Sequence, residues 1–119
     1  MTTDPKLKIN LTGDDVNVFT KAITWVKGEQ VEKTINLIDT DGLKSVSYSD
    51  IDNVKAIIFQ SDSQFKIATT ANAITSEVIV DGIFVLTPES TYWSTITDIS
   101  ISTDSITAIS VNYRIYGAV

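Results

Sequence analysis

Cysteine and histidine are both missing from this chain, and it has only two prolines, five glycines and one methionine. Without cysteine there is no disulfide framework and no thiolate nucleophile, so packing alone must stabilise the fold. Without histidine the commonest general base is gone as well. With both absent, so are the preferred ligands of zinc, copper and iron. Long apolar runs are also lacking. Ala56 to Phe59 and Ile83 to Leu86 stand out, yet neither exceeds about five residues, against the ~20 that span a bilayer. Positive charge is scarce, with nine Lys and Arg against 15 Asp and Glu, a net charge of −6 and a pI near 4.4. Nucleic acid is therefore not an expected partner, because phosphate binding needs a basic face, and an anionic membrane would repel the chain. No apolar stretch follows the lysines of Met1 to Lys8, so no secretory signal is expected. The Asn10-Leu11-Thr12 sequon is then read as incidental, and the free protein as soluble and cytoplasmic.

Apolar residues make up 43% of the 119 positions and charged ones 20%, enough apolar surface for one buried core and too short a chain for two. Ser and Thr are about a quarter of the chain, and Ile is its most frequent large apolar residue. Thr and Ile are β-branched and pack better on a pleated sheet than on a helix, while Leu, Glu, Met and Arg are sparse. Composition points to strands.

Periodicity agrees. Met1 to Lys6 are polar and read as an N-terminal arm, with residues 7–119 as one domain. Leu7, Ile9 and Leu11 alternate with lysines and Asn10, the pattern of a strand with one apolar face. From Val16 to Val26 both parities carry apolar residues, which predicts a strand covered on both sides. Lys27 to Gln30 has turn chemistry, and Val31, Ile35 and Leu37 then resume the alternation up to a hairpin-type turn at Asp39-Thr40-Asp41-Gly42. A weaker strand follows over Leu43 to Tyr48. Ser49 to Asn53 is the one helix candidate, a single turn. Val54 to Gln60 and Gln64 to Thr69, separated by Ser61-Asp62-Ser63, are expected to pair as neighbours.

The clearest local signal joins Glu77–Val80 to Ile83–Leu86 through Asp81-Gly82, whose positive φ suits a type I′ hairpin. In that register Val78 and Val80 share a face with Ile83 and Val85. Thr87-Pro88-Glu89-Ser90 ends the second strand. A second hairpin is expected from Thr97 to Ser102 and Ser105 to Tyr116 across Thr103-Asp104, with Ile99, Ile101, Ile109, Val111, Tyr113 and Ile115 inward. Ile96 and Ile106 break phase, which predicts a bulge or a change of sheet. About nine short strands with no helical spacers make an all-β antiparallel sandwich, jelly-roll or immunoglobulin-like.

The remaining chemistry is thin. Neither Gly-x-Ser-x-Gly nor Ser-x-x-Lys occurs, and the carboxylates of Asp14-Asp15, Asp39-x-Asp41 and Asp50-x-Asp52 fall where turns would place aspartate anyway. A calcium loop starting at Asp39 would need Gly at its sixth position and Glu at its twelfth, where Lys44 and Asp50 stand. The glycines are dispersed, so no phosphate cradle forms. The expectation is a non-enzymatic protein without cofactor or metal. Tyr92 and Trp93 are the candidate contacts for a partner or a glycan, since exposed aromatics stack on sugars, with core packing as the alternative. Trp25, inside an apolar strand, reads as core. Leu7, Ile9 and Leu11 are the candidate assembly edge for addition of a neighbour's strand, although the lysines between them could equally protect that edge.

An acidic, Cys-free and His-free chain with runs such as Val54-Lys55-Ala56-Ile57-Ile58-Phe59-Gln60 and Ile99-Ser100-Ile101-Ser102-Thr103-Asp104-Ser105-Ile106-Thr107 resembles the small virion structural proteins of tailed bacteriophages, the capsid decoration, head-fibre, collar and tail-associated β-domains. The resemblance implies a structural subunit of a viral particle, virion-associated, whose partners are other virion proteins and copies of itself. It carries over no individual residue. A carbohydrate-binding sandwich is the alternative.

Overall fold

The computed structural model describes residues 4–11, 19–48, 51, 53–88 and 91–119, without the side chains of 9–11, 19–21, 91 and 92. These residues form ten strands in chain order: β1 (Lys6–Leu11), β2 (Phe19–Thr24), β3 (Lys27–Leu37), β4 (Lys44–Ser45), β5 (Val54–Gln60), β6 (Phe65–Ala71), β7 (Ile74–Val80), β8 (Ile83–Leu86), β9 (Ile96–Ser102) and β10 (Ile109–Ala118). Among the described residues there is no α-helix, only 3-10 turns at Asp39–Asp41 and Thr91–Thr95. Of the expected helical turn at Ser49 to Asn53, only Ile51 and Asn53 lie among the described residues.

Two four-stranded antiparallel sheets, ordered β3-β10-β5-β8 and β4-β9-β6-β7, form the sandwich. Successive strands alternate between the sheets except at β6 and β7, which are neighbours in one sheet, and the two orders set β3 over β4, β10 over β9, β5 over β6 and β8 over β7. The expected all-β sandwich is observed, with the strand order of a jelly roll.

The core is where inner faces meet. Leu37, Ile57, Phe59, Val111, Tyr113 and Ile115 come from one sheet and Phe65, Ile67, Ile99 and Ile101 from the other, all fully or almost fully buried. Burial of each such side chain is worth about 1.5–3 kcal/mol. An aromatic ladder crosses three strands, with Phe59 in register with Tyr113 and Phe84 and ring centroids 6.0 and 6.4 Å apart. The alternation expected along β10 holds, since Ile109, Val111, Tyr113 and Ile115 are buried and Ser110 and Arg114 are exposed. So does the phase break at Ile96, where the β6–β9 register shifts between Asp98 and Ile96. Ile106 lies outside any strand and is 81% exposed.

The expected hairpins are corrected. Asp81-Gly82 does not close a hairpin, because β7 and β8 are edge strands of different sheets, and Ile83 pairs with Gln60 instead. Gly82 still supplies its positive φ, +90°, but to a corner that carries the chain across the core, where its carbonyl accepts a hydrogen bond from the Ser61 amide at 2.8 Å. Thr103-Asp104, Ser61-Asp62-Ser63 and Asp39 to Gly42 are crossings for the same reason, so β5 and β6 are not sheet neighbours and neither are β9 and β10. The tight hairpin lies where no turn was expected, between β6 and β7, with Asn72 (φ +51°) and Ala73 (φ +64°) both left-handed as a type I′ turn requires.

Lys27 to Gln30 is likewise part of β3 and not a turn. Gly28 is there for proximity: a Cβ on it would stand 2.6 Å from the Ala118 carbonyl carbon.

β1 and β2 form a ribbon of their own that joins neither sheet. At its base the Trp25 amide donates to the Pro5 carbonyl (3.4 Å), and the buried indole packs 6.3 Å from Tyr116 of β10, as core. The two-sided burial expected for Val16 to Val26 is not observed over the described part, because Ala22, Thr24 and Val26 are exposed while Ile23 is half-buried and Trp25 buried on the other face. The radius of gyration is 15.5 Å, against about 13.5 Å for a compact domain of this length. A ribbon standing off the sandwich accounts for the excess.

Candidate functional site

A hollow opens where Tyr48, just after β4, meets Trp93 of the second 3-10 turn. The two rings are 5.3 Å apart and tilted by 57°, and the Tyr48 hydroxyl donates to the Ile96 carbonyl at 3.1 Å. Ile51 and Val54 form the apolar floor, and Asn53, Lys55 and Pro88 the rim, around about 420 Å³. That volume falls within the range of small-ligand pockets. Burial, and secondarily the nearby Asp98 carboxylate, push the Tyr48 hydroxyl above its usual pKa, so it remains a neutral donor. The hollow offers ring faces, an amine and an amide. Its described lining carries no carboxylate, and what that lining offers is stacking and hydrogen bonding.

Trp93 is half-buried against the core and also lines the hollow. The Tyr92 side chain lies outside the described residues. Nothing in the sequence marked Tyr48 or Lys55. Each looks ordinary in its own segment, and the hollow exists only because crossings between sheets bring residues some forty positions apart to one end of the sandwich.

The other polar clusters have structural uses. Asp41 accepts from the Ile38 amide at 3.0 Å and pairs with Lys44 at 3.6 Å, so its carboxylate caps the turn. Among the described residues no three acidic side chains converge as a metal site would need, while Asp14, Asp15, Asp50 and Asp52 lie outside them. Lys66 lies near Ser63 and Ser105 around a hollow of about 340 Å³, the arrangement closest to a Ser–Lys pair. Its ammonium bonds Asp104 at 2.8 Å, and that hydrogen bond raises its pKa, the reverse of what a lysine base needs.

The expected assembly edge, Leu7, Ile9 and Leu11, occupies alternate positions of β1 opposite Ile23, Lys21 and Phe19. Leu7 and Ile23 are half-buried, and the side chains of Ile9 and Leu11 are outside the described set. A second apolar edge lies on the sandwich itself. β7 borders its sheet with Ile74 69% and Ile79 63% exposed, and Ile83 of neighbouring β8 is 60% exposed. The supposed hairpin had hidden it, because pairing with β8 would have left β7 no free edge. No family model, curated protein or solved structure matches the chain.

Proposed function

We propose that this protein is a non-enzymatic structural subunit of a viral particle, a capsid-decoration or head- or tail-associated protein that works through protein–protein assembly. The observation that carries the reading is a jelly-roll sandwich bearing a two-stranded ribbon that pairs with neither sheet. An isolated two-stranded hairpin is marginal in water, so such a ribbon gains stability by lying against another surface. Jelly rolls recur in viral capsid proteins and also in lectins, so fold alone does not decide between them. The acidic, Cys-free and His-free composition and its resemblance to phage virion proteins add weight. Light scattering over a range of concentrations, with co-sedimentation on purified phage heads and tails, tests the proposal. A closed oligomer or stoichiometric particle binding is expected, and a monomer that binds neither overturns it.

One observation favours a second reading, a carbohydrate-binding module. The Tyr48–Trp93 hollow presents ring faces beside an amine and an amide, the combination that stacks on and hydrogen-bonds a sugar. A glycan array then gives a signal that Trp93→Ala abolishes without lowering the melting temperature below that of the assay, and a flat array with the unaltered chain ends this reading.

A further inference from the structure

We propose that the β1–β2 ribbon of one copy docks along the β7 edge of the next, a head-to-tail contact that closes copies of this chain into a ring. The inference rests on the assembly reading and specifies its partner and surface.

Three observations converge. The first concerns edges. Of the four edge strands, β3 carries Glu29, Glu32 and Lys33, all exposed, β4 is two residues long and β8 four. Charge and shortness are the usual protections against strand addition. β7 is the least protected: it is seven residues long, has Glu77 as its sole charge, and exposes Ile74, Val78 and Ile79. The second is the ribbon, which also has free edges and places Leu7, Ile9 and Leu11 on alternate positions. The third is charge. The strands of the ribbon carry Lys6, Lys8 and Lys21 and no carboxylate, whereas residues 28–119 carry twelve acidic and five basic side chains, a net −7. Lys6 and Lys8 are exposed, as are Glu77 on β7 and Asp81 at its end.

A basic, apolar ribbon and an acidic, apolar edge are complementary, and both occur once in each copy. Main-chain hydrogen bonds along the edge would supply affinity and the isoleucines burial, while the lysines select the acidic edge and set direction. Because donor and acceptor are different surfaces, the contact is heterologous, and it closes when the rotation between copies divides the circle.

The test uses the full chain. Light scattering is expected to give one closed oligomer, and Lys6→Glu with Lys8→Glu should weaken association roughly a hundredfold, because like charges then meet at the edge. Glu77→Lys alone should do the same, and all three changes in one chain should restore the oligomer. Circular dichroism melts check that each variant keeps its fold. As a second measurement, a chain with Lys8→Cys mixed with one bearing Glu77→Cys should oxidise to a covalent dimer, in a background that has no other cysteine. An oligomer indifferent to the charge changes, or no heterodimer on oxidation, overturns this interface and leaves the assembly reading standing on other contacts. A chain that stays monomeric also overturns it, and the assembly reading then depends on particle binding alone.

Discussion

Ala73 is held at φ +64°, a left-handed conformation in which its Cβ crowds the following carbonyl at a cost of roughly 1–2 kcal/mol. Asn72, at φ +51°, belongs to the residue types that tolerate it, and Ala73 does not. Ala73→Gly is therefore expected to raise stability by about 0.5–1 kcal/mol once the looser unfolded chain is allowed for, as an upward shift in the urea midpoint at unchanged slope. Gly28 is the opposite case. The tail of β10 passes so close that a methyl group would meet the Ala118 backbone, atoms that cannot swing aside as a side-chain tip would. Gly28→Ala is expected to lose about 1–3 kcal/mol, read as a lower thermal midpoint. Neither position betrays itself in the sequence. Asn72-Ala73 lacks the glycine that advertises a type I′ turn, and the demand on Gly28 comes from a strand ninety residues away.

Within elements, the isoleucines of the C-terminal third separate by geometry and not by composition. Ile99 and Ile101 point into the core from β9 and have no exposed surface, whereas Ile106, five positions on, stands in the crossing to β10. Ile101→Ala is expected to cost about 2–5 kcal/mol and Ile106→Ala no more than about 0.5, measured by denaturant unfolding of the two variants side by side. Ile106 reads from the sequence only as a break of phase in a strand expected from Ser105, but alternation assigns Ile99 and Ile101 inward, because a period of two fixes faces whichever strand lies alongside. What alternation could not say was which strand that would be. Asp81-Gly82 has the residues of a hairpin, and the same positive φ serves equally well to turn a corner into the opposite sheet. The turn's chemistry is local, but the choice between pairing and crossing depends on which sheet has a vacant edge.

For the whole molecule, the missing histidines and cysteines have a measurable consequence. With neither His nor Cys in the chain, no side chain has its ordinary pKa in the middle of the pH range, so unfolding free energy is expected to be flat from about pH 6 to 9. Above that it falls. Burial raises the hydroxyls of Tyr48 and Tyr113 above their ordinary value, and the Asp104 hydrogen bond raises the ammonium of Lys66. The unfolded chain therefore loses these protons first. The stability linked to them is complete below about pH 10 and disappears as pH rises through the folded-state values. Urea titrations at a series of pH values check this, and a steady slope between pH 6 and 9 would contradict it. The sequence by itself determined the fold class, the inward faces of the long strands and the poverty of catalytic groups, because composition and a period of two are properties of a segment and its neighbours along the chain. Only the tertiary structure decided the jelly-roll order, the separateness of the ribbon, the bare edge at β7 and the meeting of Tyr48 with Trp93. Each of these depends on which distant segments share a sheet or an end of the sandwich, and that is settled by closing a common core.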